Sequence, residues 1–115
     1  ENKGYIEVFG NGRQTRSFLY DDECVEGVLR LMESDFVGPV NIGSEEMVTI
    51  DQLVDIVAKI ANKKLNKRHV DGPIGVTGRN SDNKLIFEKI GWKPSKPLQI
   101  GLHRTYTWIK SQMNL

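Results

Sequence analysis

Apolar residues follow two rhythms along this chain, one suited to short strands and one to amphipathic helices. Tyr5 to Phe9 is a short β-like run that stops at Gly10-Asn11-Gly12, a turn signal. Gln14 to Tyr20 reads as a second extended stretch. Asp21 and Asp22 follow where a helix would begin, and carboxylates suit the positive end of its dipole. Val25, Val28, Leu29 and Met32 then repeat at i, i+3, i+4 and i+7, which predicts an amphipathic helix to about Ser34. Gly38-Pro39 breaks the chain, and Val40-Asn41-Ile42 reads as a short buried strand ending at Gly43.

Thr49 and Gln52 have the spacing of a capping box, in which each side chain satisfies a first-turn amide of the other. The stripe Ile50, Leu53, Val54, Val57, Ile60, Ala61 follows at once and marks a helix. Arg68-His69-Val70 reads as a strand before the glycine-rich stretch Gly72 to Gly78. Ser81 is placed to cap a short helix through Ile90, with Gly91 as its left-handed C-terminal residue. Pro97 sits near the start of a last helix, whose inner stripe is Leu98, Leu102, Tyr106, Ile109 and Met113.

The pattern is mixed α/β, with short strands and about four helices in a single domain over residues 1–115. So few short strands cannot build a sheet covered on both faces. The expectation is a part of a larger α/β protein, or a unit that pairs with another chain.

Composition adds mainly exclusions. Lys and Arg (16) nearly balance Asp and Glu (15), so no global field favours nucleic acid or an anionic membrane. A single cysteine, Cys24, makes no intrachain disulfide. No apolar run reaches the length of a membrane span, and the first residues lack a signal-peptide layout, so the cytoplasm is expected.

Charge-based chemistry must therefore be local, and two clusters offer it. Arg16 follows a glycine turn, where backbone amides can approach an anion and a guanidinium can grip a phosphate through two parallel bonds. The plain alternative is an arginine at a strand start, pointing into solvent. Gly75-Val76-Thr77-Gly78-Arg79-Asn80-Ser81-Asp82 delivers Arg79 to the start of a short helix, though an ordinary capped loop explains it too. Two arginines on separate loops suit a diphosphate if the fold unites them.

Other candidates read as decoys. Gly72, Gly75 and Gly78 mimic a dinucleotide fingerprint, but no acidic strand end follows at the required distance. Tyr106 and Lys110 have Tyr-x-x-x-Lys spacing, yet Tyr106 belongs to an apolar stripe. His69, His103 and Cys24 lack partners at metal-ligand spacing, so no metal site is expected. The basic run from Lys63 to His69 follows a helix C-terminus, where cations complement the dipole, and it has no interleaved aromatics.

Gly10-Asn11-Gly12-Arg13-Gln14-Thr15-Arg16-Ser17-Phe18 is similar to a segment of the extended short-chain dehydrogenase/reductases that act on nucleotide sugars. The similarity continues through 22–31 and Pro39-Val40-Asn41-Ile42-Gly43-Ser44, then Gly72-Pro73, Gly78-Arg79-Asn80-Ser81-Asp82-Asn83, Gly91-Trp92, Tyr106 and Trp108-Ile109-Lys110. The combination resembles the GDP-mannose epimerase branch of that family. The resemblance implies the C-terminal, substrate-binding part of such an enzyme, incomplete without an N-terminal Rossmann unit. It implies that Gln14, Thr15, Arg16 and Arg79 contact the substrate diphosphate. The family's cofactor, NAD, would be bound mainly by the N-terminal part of a full-length enzyme, with none expected for this chain alone. The catalytic Tyr-x-x-x-Lys helix and the acid/base residues would likewise lie before Glu1, which leaves this chain non-catalytic. A homodimer is expected, with neither nucleic acid nor membrane as partner. The rival readings are a UDP- or dTDP-sugar epimerase, dehydratase or decarboxylase, and a non-catalytic dimeric binding module.

Overall fold

A computed structural model describes residues 4–114. Among them the elements run β1 (Tyr5–Phe9), β2 (Thr15–Ser17), α1 (Asp21–Met32), β3 (Met47–Thr49), α2 (Ile50–Ile60), β4 (Asn66–Val70), α3 (Lys84–Ile90) and α4 (Leu98–Gln112). The strands form two separate ladders. β1 pairs in parallel with β4, from Tyr5 opposite Asn66 to Phe9 opposite Val70. β2 pairs antiparallel with β3, with Arg16 opposite Val48. The parallel pair is possible because a long crossover, containing α1 and α2, carries the chain back to the same end.

The turn between β1 and β2 depends on glycine. Gly10 and Gly12 have φ of 77° and 72°, in the left-handed region. At Gly12 a Cβ would also fall 2.0 Å from the Asp51 carboxylate, so the turn lies hard against the first turn of α2. The Asp51 amide donates to the Gly12 carbonyl at 3.0 Å and closes that contact.

Two local signals act as read, at the start of α2 and the end of α3. Thr49 caps α2: its hydroxyl accepts from the Gln52 amide at 3.0 Å, and the Gln52 side chain accepts from the Thr49 amide at 2.8 Å. Gly91 ends α3 with φ of 69°. Two local readings need correction. Val40-Asn41-Ile42 is not a strand; Met47–Thr49 takes that role with Val48 turned inward. Residues 43–44 instead act as a loop whose Gly43 carbonyl accepts from Asn83. Ser81 does not cap α3, which begins at Lys84; its hydroxyl donates to the Asn83 side-chain oxygen at 2.7 Å.

The core is small and centred on Trp92 and Ile86, both fully buried, with Val8, Val48, Val54 and Leu98 around them. The face of α1 that enters it is not the apolar stripe. Glu23 and Gly27 are the buried positions, and Gly27 lies so close that a Cβ would meet the Trp92 ring at 3.0 Å. Val25, Val28, Leu29 and Met32 stand exposed on the other side, because no described element covers them. The α4 stripe divides in the same way: Leu98 is buried, Leu102 and Tyr106 are half-buried, and Ile109 and Met113 are exposed.

The outcome is a thin plate of 51 × 33 × 18 Å. Its radius of gyration is 16.7 Å, against roughly 13 Å for a compact domain of this length. The accessible surface is 8404 Å², where a compact monomer of this mass exposes about 6,300 Å².

Candidate functional site

One open cleft, of about 350 Å³, lies where a strand and two loops meet. Arg16 and Ser17 line it from β2, Asn41 and Gly43 from the loop before β3, and Arg79 and Asn80 from the loop before α3. Glycines make that meeting possible. Thr15 forms a parallel bridge to Gly78, and the Thr15 amide donates to the Thr77 carbonyl at 2.9 Å. A Cβ on Gly78 would fall 2.6 Å from the Thr15 hydroxyl, so the loop lies flat on β2 only because residue 78 has none. Gly43 approaches Ser81 as closely, with a Cβ there meeting Ser81 at 2.7 Å. The two contacts bring Arg79 to the same hollow as Arg16.

The two guanidinium groups are held differently. Arg16 is half-buried and braced: Nη1 donates to the Thr15 carbonyl at 2.7 Å and Nη2 to the Ile74 carbonyl at 2.9 Å. Arg79 is exposed, and its side chain engages no acceptor among the described residues. One braced cation and one that engages no acceptor among the described residues, with Ser17 and Asn41 also lining the cleft, make a site suited to an anion with several oxygens.

Gln14 and Thr15, also expected to contact a diphosphate, stand outside the lining of this cleft. Gln14 is buried, and its side-chain amide donates to the Phe9 carbonyl at 2.9 Å, which braces the Gly10–Gly12 turn. Its side-chain oxygen is buried without a hydrogen-bond partner among the described residues. Thr15 spends its amide on the loop that carries Arg79. Sequence reasoning missed Asn41 and Gly43 as lining residues because it assigned them to a strand. The turn-forming run Gly43-Ser44 was the available signal.

A larger open groove, of about 710 Å³, lies between α3 and the 93–97 segment. Its carboxylates are already used: Glu45 accepts from the Asn83 amide and Glu46 from the Leu98 amide, both at helix starts. That makes it a packing seam, and the cleft holding both arginines is the better candidate.

The 72–78 glycines do not open a helix as a dinucleotide-binding turn does. The 72–78 glycines serve close packing: a Cβ at Gly72 would strike the Phe9 ring at 2.6 Å, and no helix opens directly on the loop. Lys110 is exposed and Tyr106 half-buried on the α4 face, far along a helix that begins at Leu98. The basic run is engaged internally, with Lys67 on Asp55 at 2.7 Å, His69 on Asp51 at 2.9 Å and Arg68 over the Tyr5 ring. No group of three or more His, Cys, Asp or Glu among the described residues could hold a metal ion. No described helix is long and apolar enough to cross a membrane.

No family model matches the sequence. The fold nonetheless superposes on UDP-glucuronic acid 4-epimerase from Bacillus cereus, solved in complex with UDP-glucuronic acid and NAD. The TM-score is 0.86 at 28% identity, over 94% of this chain and 36% of that one. Fold and sequence place the chain in the extended short-chain dehydrogenase/reductase family of nucleotide-sugar epimerases and dehydratases. Within that family it is similar to GDP-mannose 3,5-epimerase of Arabidopsis thaliana, at 57% identity over 94% of this chain. UDP-glucuronic acid decarboxylase 1 of the same plant is 36% identical over 86% of it. The chain spans 29% of the length of that epimerase and 23% of that decarboxylase.

Proposed function

We propose that this chain is the C-terminal, nucleotide-sugar-binding part of an NAD-dependent epimerase acting on GDP-mannose or a close analogue. In this reading Arg16 and Arg79 clamp the diphosphate, while Gln14 and Thr15 hold the turn and strand that present Arg16. The observation that carries it is the convergence of the two arginines on one cleft. The GDP assignment is supported by the higher identity to a GDP-mannose epimerase than to a UDP-sugar decarboxylase, 57% against 36%.

NAD would supply reversible oxidation of the sugar, and other parts of a full-length protein would bind it. This chain's contribution is positioning: it fixes the diphosphate so that the sugar is held in one place against the reacting groups. Alone, the chain should show no epimerase activity with GDP-mannose and NAD. A homodimer in the cytoplasm completes the proposal, and the surface exposed in excess of a compact monomer supports association.

The test is a parallel NMR titration with GDP-mannose, GDP, UDP-glucose and dTDP-glucose. Saturable shifts at 14–17 and 79–81, strongest with the guanosine ligands, are expected. Equal response to every nucleotide would keep the clamp and favour the UDP- or dTDP-sugar reading. No response from a well-folded chain would sink the clamp and bring the non-catalytic binding module forward.

A further inference from the structure

The Arg79 side chain engages no acceptor among the described residues, so its placement rests on the backbone segment that carries it. Asn83 sits four residues on, and only 6% of its surface is exposed. Every polar group of that side chain is used. Its amide nitrogen donates to the Gly43 carbonyl at 2.8 Å, and its oxygen accepts from the Ser81 hydroxyl at 2.7 Å. Its backbone amide donates to the Glu45 carboxylate at 2.9 Å. Asn80 adds a weaker bond from its side chain to the Glu45 carbonyl at 3.4 Å. These bonds tie the 79–83 segment to the 43–45 loop, which forms the opposite wall of the cleft.

We infer that Asn83 is the positioning residue that sets Arg79, and through it the width of the cleft. The inference rests on the reading of the cleft as a diphosphate site. Asn83 does not line the cleft; it acts as a buried cross-link between two walls. An amide is suited to this because it donates and accepts at once. A carboxylate would face the Gly43 carbonyl with no proton to offer. It would also add negative charge beside Glu45 and Asp82, with Lys84, Lys93 and Lys96 as the nearby cations along the adjoining groove.

The test compares this chain with Asn83→Ala and Asn83→Asp by 15N NMR, first free and then titrated with GDP. In the free Asn83→Ala variant, amides 79–81 should lose order while those of α2 are unchanged. GDP affinity should fall about tenfold, the worth of a lost buried anchor. Asn83→Asp should bind as weakly at pH 7.5 and recover towards wild type near pH 5, because burial and the neighbouring Glu45 carboxylate push the introduced carboxyl up and return a proton for it to donate. A residue serving only overall stability would show no such recovery. If Asn83→Ala does not fold, Ser81→Ala removes only the hydroxyl donor, and about a threefold loss is expected. Order at 79–81 unchanged in the variants overturns the inference, whatever the ligand does. Loosened amides with undiminished GDP affinity overturn it too. If the wild-type chain ignores GDP while Asn83→Ala still loosens 79–81, the cross-link stands and the nucleotide reading fails.

Discussion

Glu23 shows what a single side chain does here. It is 3% exposed, and its carboxylate accepts the backbone amides of both Ser95 and Lys96, at the turn that leads into α4. One residue thus attaches α1 to a segment far along the chain. Glu23→Gln keeps the shape but replaces one acceptor oxygen with a donor, which leaves a buried amide unpaired. The expected cost is about 1–3 kcal/mol, read as a lower urea midpoint with an unchanged slope. At the site, Arg16→Lys should be as damaging as Arg16→Ala for GDP binding. A lysine cannot reach the Thr15 and Ile74 carbonyls together and still face the cleft. A lysine variant that binds within twofold of wild type by calorimetry would show that only charge matters there. Along the chain Glu23 simply follows Asp21 and Asp22 in the first turn of α1. Its partners at 95 and 96 are invisible to any local pattern.

Elements divide by how far their determinants lie apart. The start of α2 was legible because Thr49 and Gln52 satisfy each other within one turn, and Gly91 was legible because its conformation is its own. Thr49→Ala should cost about 1 kcal/mol. Thermal unfolding should show it, and Gln52→Ala in the same background should add little because the box is already broken. The strand assignment failed where the outcome hangs on distant partners. Val40-Asn41-Ile42 has strand composition, but Gly43 is taken up by Ser81 and Asn83, whereas Met47–Thr49 finds β2 alongside it. The pairing of Arg16 with Arg79 in one cleft was half legible for the same reason. Each arginine stood out beside its glycines, yet it takes the Thr15–Gly78 bridge and the Gly43–Ser81 contact to place both at one cleft.

At the scale of the molecule, the informative residues are apolar ones left exposed. Val25, Val28, Leu29 and Met32 form a ridge along α1, and Met32 is 74% exposed. Periodicity identified the ridge correctly but says nothing of what lies against it. Leu29→Lys with Met32→Lys should therefore shift the stability of this chain by no more than about 0.5 kcal/mol. The same pair should reduce binding of a hydrophobic dye and self-association in sedimentation. A large loss of stability would mean that the ridge is packed within the chain after all. The close seating of Gly27 on Trp92 has an optical consequence. The chain holds two tryptophans, one sealed at 1% exposure and the other, Trp108, at 63%. Trp108→Phe would leave a single indole emitter in the seam between α1 and the 92–96 segment. Its blue-shifted, quencher-resistant fluorescence would then report, in real time, whether that seam opens when a ligand or partner arrives.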